Sequence, residues 1–362
     1  MKAKEKINIR QLTALIFVSL LSPAIRVLPT AQTLTAGSAA WLCVPAAVIP
    51  VLLYLWMMRS LMRSRMPDEG LAELMCRSIG KWPARIAFLV ILLWLLFYGG
   101  FILRTAAERL LSTIYRGGGV GLLMVTMLIP AAIAAAGPVR SLARTARVFL
   151  PILLLALLVV LGCALPDVQL QNLLPVVRQD TSGIVRSVLP VLNIAALGTY
   201  FGFLAGHTKK ETHSGRYMAG WTLVLLACLF LIVLVTVGTL SAGLIGKMQN
   251  PFFVVIRDIR IAGVMERVEA VVVLLWMIAD FVYLASLLRI AAGLMQSTVQ
   301  HGSQKACVWY GSAVMLIVAF AVGRSGFDLQ WLSEVGAGLG SLAVTVILIP
   351  GILLIGRLRN KL

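Results

Sequence analysis

Long apolar stretches separated by short polar ones repeat along the whole chain. A helix crossing a hydrocarbon layer of about 30 Å needs about 20 apolar residues. Ten stretches of that size can be drawn, at roughly 9–34, 39–58, 84–114, 119–136, 148–166, 188–206, 219–243, 265–294, 306–323 and 335–356. The pattern predicts an all-α integral membrane protein, a single domain of ten transmembrane helices. Ten spans divide into two sets of five, repeat one at about 9–166 and repeat two at about 188–356, with opposite orientations.

The first span carries a flaw in its middle. Leu12–Leu21 reads as a helical half-span; then Pro23 removes a backbone donor and biases Ser22 away from helix, Arg26 adds a fixed charge, and Pro29 interrupts again. Irregular backbone at membrane depth survives only when packed in protein or lining a wet cavity. The segment is therefore either a discontinuous span at a transporter's binding site or a proline-kinked helix whose arginine snorkels. Span six has a similar weak centre, with Pro190 near its start and Gly198, Thr199, Tyr200 and Gly202 in its middle. Its small residues also suit plain helix packing. Spans one and six, five apart, are the pair an inverted five-plus-five transporter would interrupt. No residue-level identity links the halves, so the repeat is inferred from layout alone.

Two loops have helical patterns of their own. In 63–83, Leu71, Leu74, Met75 and Ile79 recur at helical spacing after Asp68 and Glu69, with Gly80 as a stop, which predicts a short amphipathic helix on the membrane face or the bundle. The stretch 250–264 mixes apolar residues with Arg257, Asp258 and Arg260, and predicts an outer loop helix, a lid or a docking surface.

Composition agrees with the pattern: 60% hydrophobic and 13% charged residues with a mean hydropathy of +0.95 exclude a soluble globule. The net charge of +18 would suggest nucleic acid were it not for its distribution. With a cytoplasmic N-terminus, 20 of the 32 Lys and Arg fall in cytoplasmic segments, 8 on the other side and 4 inside spans. That bias places both termini in the cytoplasm and leaves no nucleic-acid footprint. The basic N-terminus and its apolar run have a signal peptide's outline, but cleavage would strand the basic C-terminus outside.

Ionisable residues inside spans are costly unless paired or wet. Asp280 lies well inside span eight, on one helical face with Trp276 and Tyr283. It is either a cavity carboxylate for a ligand amino group or a proton, or a tie between helices. In span three Arg104 and Glu108 stand one turn apart and pair, Arg109 points elsewhere, and the outer charges lie at the surface. The five cysteines have no paired spacing, no HExxH or CxxC accompanies the three histidines, and Gly117–Gly121 lacks the Lys-Ser/Thr of a phosphate loop. No metal, cofactor or enzyme constellation is expected.

Pro251 to Trp276, PFFVVIRDIRIAGVMERVEAVVVLLW, resembles the loop and span-eight signature of the B-subunit family of spore germinant receptors, within the amino acid, polyamine and organocation superfamily. Leu28-Pro29, Ala40-Trp41, Gly80-Lys81-Trp82, Asn172-Leu173-Leu174-Pro175, Gly206 and Lys209-Lys210 follow in the family's order, so the resemblance spans essentially the whole chain. It departs at the first break, where the family often has glycines and this chain has Ser22-Pro23-Ala24-Ile25-Arg26-Val27.

The resemblance implies a non-enzymatic inner spore-membrane sensor of a small nutrient germinant, commonly an amino acid. It implies as partners a larger membrane A subunit and a C-subunit lipoprotein. Carried over by position, it implies a ligand site at Ser22, Pro23, Ala24, Ile25 and Arg26, at Gly198, Thr199 and Tyr200, at Tyr98 and at Asp280. Arg26 would pair with a ligand carboxylate, or with Asp280 when empty. A secondary amino acid transporter coupled to H⁺ or Na⁺, and a channel or structural subunit with a vestigial pocket, remain alternatives.

Overall fold

Apolar runs this long have one economical way to satisfy their backbone in lipid, the helix, and the chain takes it throughout. The computed structural model describes residues 6–66, 68–113, 119–174, 176, 180–208, 214–248, 250–258, 268–299, 302–322, 329 and 332–359. In order the elements are α1 (Ile9–Ala36), a tight 3-10 turn (Gly37–Leu42), α2 (Cys43–Met62), α3 (Leu71–Ile79), α4 (Lys81–Thr113), α5 (Val120–Ala136), α6 (Val139–Ala164), α7 (Leu170–Leu173) and α8 (Asp180–Leu197). A 3-10 segment (Gly198–His207) extends α8, and α9 (Ser214–Leu240), α10 (Ala242–Ile245), α11 (Pro251–Asp258), α12 (Val268–Val299) and α13 (Gln304–Ala321) follow. The C-terminal run Leu332–Leu358 alternates α-helix with wider π-type turns.

Among the described residues, eight apolar helical runs are long enough to cross a membrane. The first, Ile9–Met62, contains both α1 and α2, while α5, though apolar, is shorter. Ile49, Leu53, Trp56, Leu93, Leu155 and Ile317 stand exposed on the outside, the arrangement expected of a surface solvated by lipid.

α1 lies in the interior, against α6, α8, α9 and α12. The break expected in span one is absent: α1 runs from Ile9 to Ala36 as one helix with Pro23 and Pro29 inside it. Each proline deletes a single N–H, leaving the carbonyls of Ser19 and Ile25 without their intrahelical donors, while its fixed φ stays compatible with helix. Most of α1 is buried, and that packing holds the helix across both positions. Span six does change character where its glycine predicts. The α-helix ends at Leu197, and ten residues of 3-10 helix begin at Gly198, an unusually long run of that tighter form. The chain there is re-pitched, still helical.

α4 is held between α12, α13 and α5. Gly99 and Gly100 make the α13 contact possible, because a Cβ at Gly100 would stand 2.7 Å from the Met315 carbonyl oxygen.

One end of the molecule is closed by polar contacts. The Ile7 N–H donates to the His207 carbonyl at 2.7 Å, and Lys6 meets Asp68 at 3.2 Å. Arg65 donates to the Ala205 carbonyl, and to Thr208 Oγ1 at 3.3 Å. Burial lowers the Arg65 pKa from its ordinary value, and nearby Glu69 and Asp68 oppose that shift. Beside this latch sits α3, which buries Leu71, Leu74, Met75 and Ser78 on one face against α4 and the C-terminal run. Gly80, at φ +91°, ends it. The outer loop helix expected at 250–264 is described only as α11, Pro251–Asp258; the remainder lies outside the described residues.

Candidate functional site

Ser22, Pro23 and Arg26 share one face of α1, Ile102, Thr105, Ala106 and Arg109 share one face of α4, and Asp280 faces both from α12. Together they line a narrow polar cleft in which Ser22, Arg109 and Asp280 are buried and Arg26 and Thr105 half-buried. The spacing of the α4 residues, i, i+3, i+4 and i+7, is what one helical face requires.

Both Asp280 oxygens are engaged: Ser22 Oγ donates to Oδ1 at 2.5 Å, and Arg109 Nη2 donates to Oδ2. The Arg109 guanidinium also lies over the Trp276 ring at 5.4 Å. Trp276 is in turn packed by Phe252 and Phe253 of α11, with centroids at 6.2 and 6.3 Å. Arg26 Nη1 donates to Thr105 Oγ1, whose hydroxyl is within 3.0 Å of the Phe101 and Ile102 carbonyls. The Arg26 guanidinium stacks over Phe101 at 5.1 Å. Among the described residues no carboxylate lies within salt-bridge distance of Arg26.

Of the residues expected at a ligand site, Ser22, Pro23, Arg26 and Asp280 meet here, and the others do not line this cleft. Ala24 and Ile25 point into the core. Tyr98 joins an aromatic cluster, 6.1 Å from Trp94 and 6.3 Å from Tyr283. A Cβ at Gly198 would rest 3.5 Å from Ile16, Tyr200 is fully buried, and Thr199 Oγ1 bonds Tyr54 Oη at 2.5 Å.

Two expectations change. Asp280 takes Arg109, rather than Arg26, as its ionic partner. Arg109, expected at the surface, is buried, because α12 covers that face of α4 and supplies its counter-charge. Arg104 and Glu108 do pair across one turn, at 2.7 Å. Sequence reasoning missed Ile102, Thr105, Ala106 and Arg109 as lining residues. Their four-residue face pattern was readable in span three; the partner 171 positions away was not.

The fold and the buried polar cleft define a multi-pass, permease-like membrane protein. A solved structure described as "Substrate-bound outward-open state of a Na+-coupled sialic acid symporter reveals a novel Na+-site" matches with a TM-score of 0.68 at 12% identity, over 94% of this chain and 79% of that one. At that identity the match establishes the fold. The chain belongs to the spore germination protein family, whose spore permease model matches residues 6–325. No curated protein matches it. Family and fold point to a membrane permease rather than an enzyme.

Proposed function

We propose that this chain is the membrane sensor subunit of a nutrient germinant receptor, binding a small germinant such as an amino acid in the cleft between α1, α4 and α12. The observation that carries this reading is the meeting of buried Ser22, Arg109 and Asp280 with the half-buried Arg26 in one cleft. Buried charges cost several kcal/mol each, on the order of 3, unless something compensates them. A recognition site for a charged small molecule gives a reason to keep them.

In this reading both termini are cytoplasmic, the chain resides in the inner spore membrane or the cytoplasmic membrane, and an A-type membrane subunit and a C-type lipoprotein complete the receptor. The ligand shifts the balance between two arrangements of α1 and its neighbours against the α4, α12 and α13 frame, which requires only that its affinity differ between them.

A second reading, a secondary transporter driven by H⁺ or Na⁺, is favoured by Asp280, a titratable group inside the cleft, and by the fold shared with a Na⁺-coupled symporter. Purified protein in liposomes with an imposed pH gradient separates the two when offered labelled amino acids. Saturable binding without accumulation, abolished by Asp280→Asn, supports the sensor. Gradient-driven accumulation makes the protein a permease, and neither binding nor uptake removes the ligand site altogether.

A further inference from the structure

Among the described residues the cleft is lined by two arginines and one carboxylate. Asp280 has one oxygen engaged by Ser22 and the other by Arg109, and no hydrogen bond or ion pair joins it to Arg26 among the described residues. The partners that Arg26 does have are uncharged. Thr105 Oγ1 accepts one of its N–H groups, and the Phe101 ring lies beneath its plane. A guanidinium carries five N–H donors in a fixed fork suited to a planar oxyanion. Thr105 and Phe101 hold this fork in place from one side without neutralising it. Pro23 and Ala106 line the same cleft beside it.

We propose that Arg26 sets the charge selectivity of the site, and that the germinant carries a net charge of −1 as it binds, its carboxylate or other planar oxyanion resting on Arg26. This rests on the ligand-site reading above and adds to it a class of ligand. A neutral zwitterion brings one positive and one negative charge and leaves the surplus cation uncompensated. A net anion removes it: a simple monocarboxylate by itself, or a dicarboxylic amino acid whose ammonium joins Ser22 and Asp280 while a second carboxylate meets Arg26. Leaving one partner of a fully desolvated pair without the other costs at least about 30-fold in affinity, and the half-buried Arg26 bears part of that cost.

The test uses the full chain in nanodiscs, in chloride-free buffer so that no small inorganic anion compensates Arg26. Two near-isosteric ligand pairs are compared by equilibrium binding: L-aspartate against L-asparagine, and L-lactate against L-alanine. The expected result is at least tenfold tighter binding of the anionic member of each pair. Arg26→Gln removes that preference and Arg26→Lys keeps part of it. Equal or tighter binding of the neutral members, or a preference that survives Arg26→Gln in protein with a wild-type thermal transition, overturns the selectivity and leaves the ligand site standing. No binding of any of the four by folded protein overturns both.

Discussion

At the cleft, Arg109 and Asp280 meet with both side chains sealed inside the helix bundle, whereas at the latch Lys6 and Asp68 meet with about half of each side chain exposed (46% and 49%). Each is a cation–carboxylate pair, and the setting decides most of its worth. An exposed pair trades hydration for a weak attraction and contributes about 0–1 kcal/mol. A buried pair has already lost its hydration, so each partner depends on the other, and removing one leaves a stranded charge. The latch holds more firmly where Arg65 reaches backbone oxygen at Ala205, a contact intermediate between the two.

The sharpest way to break this comparison is at the cleft. Arg109→Met is expected to cost about 3–5 kcal/mol by leaving Asp280 buried without its cation. The double variant Arg109→Met with Asp280→Leu should recover most of the loss, read as thermal transitions in detergent. If single and double variants unfold alike, the pair does not act as a unit. Next comes Arg65→Ala, which removes charge-assisted hydrogen bonds to Ala205 and Thr208 and is expected to cost about 1.5–3 kcal/mol. Faster limited proteolysis between Arg63 and Gly70 should accompany it. The smallest effect is expected for Lys6→Ala, below about 1 kcal/mol. It should fade further in 1 M salt, where screening reaches about 3 Å. A Lys6→Ala loss as large as that of Arg109→Met would erase the distinction between the two regions.

How much of this was legible from sequence depended on whether a signal was local. The all-helical membrane fold follows from run length and composition, and the spore germination resemblance from short motifs in order. Asp280 announced itself because a carboxylate among Trp276, Ile278 and Phe281 needs a reason. Arg109 did not, because it sits near the end of a span long enough to place its last turns outside lipid. Only the packing of α12 on α4 shows that it is covered. Pro23 and Pro29 were read as a rupture because a proline's missing donor is visible in sequence, while the contacts that hold α1 together across it are not. At Gly198 the local signal and the structure coincide, because there the sequence offers small residues and the backbone changes pitch. The resemblance placed ligand residues on span six, yet Thr199 is tied to Tyr54 and Gly198 rests near Ile16, so the cleft is drawn from three helices rather than four.

The two prolines of α1 also make that helix mechanically uneven. Where a hydrogen bond is already missing, bending breaks nothing further, so the Ser19–Pro23 and Ile25–Pro29 turns are the compliant points of an otherwise stiff rod. Ser22 and Arg26 are mounted at these joints, and the rod's N-terminal end is the part pinned by Ile7 to His207. Whatever fastens Ser22 and Arg26 to α4 and α12 therefore fixes the angle between the two halves of the rod, and a small rotation at the joints becomes a larger displacement where Ile7 is held.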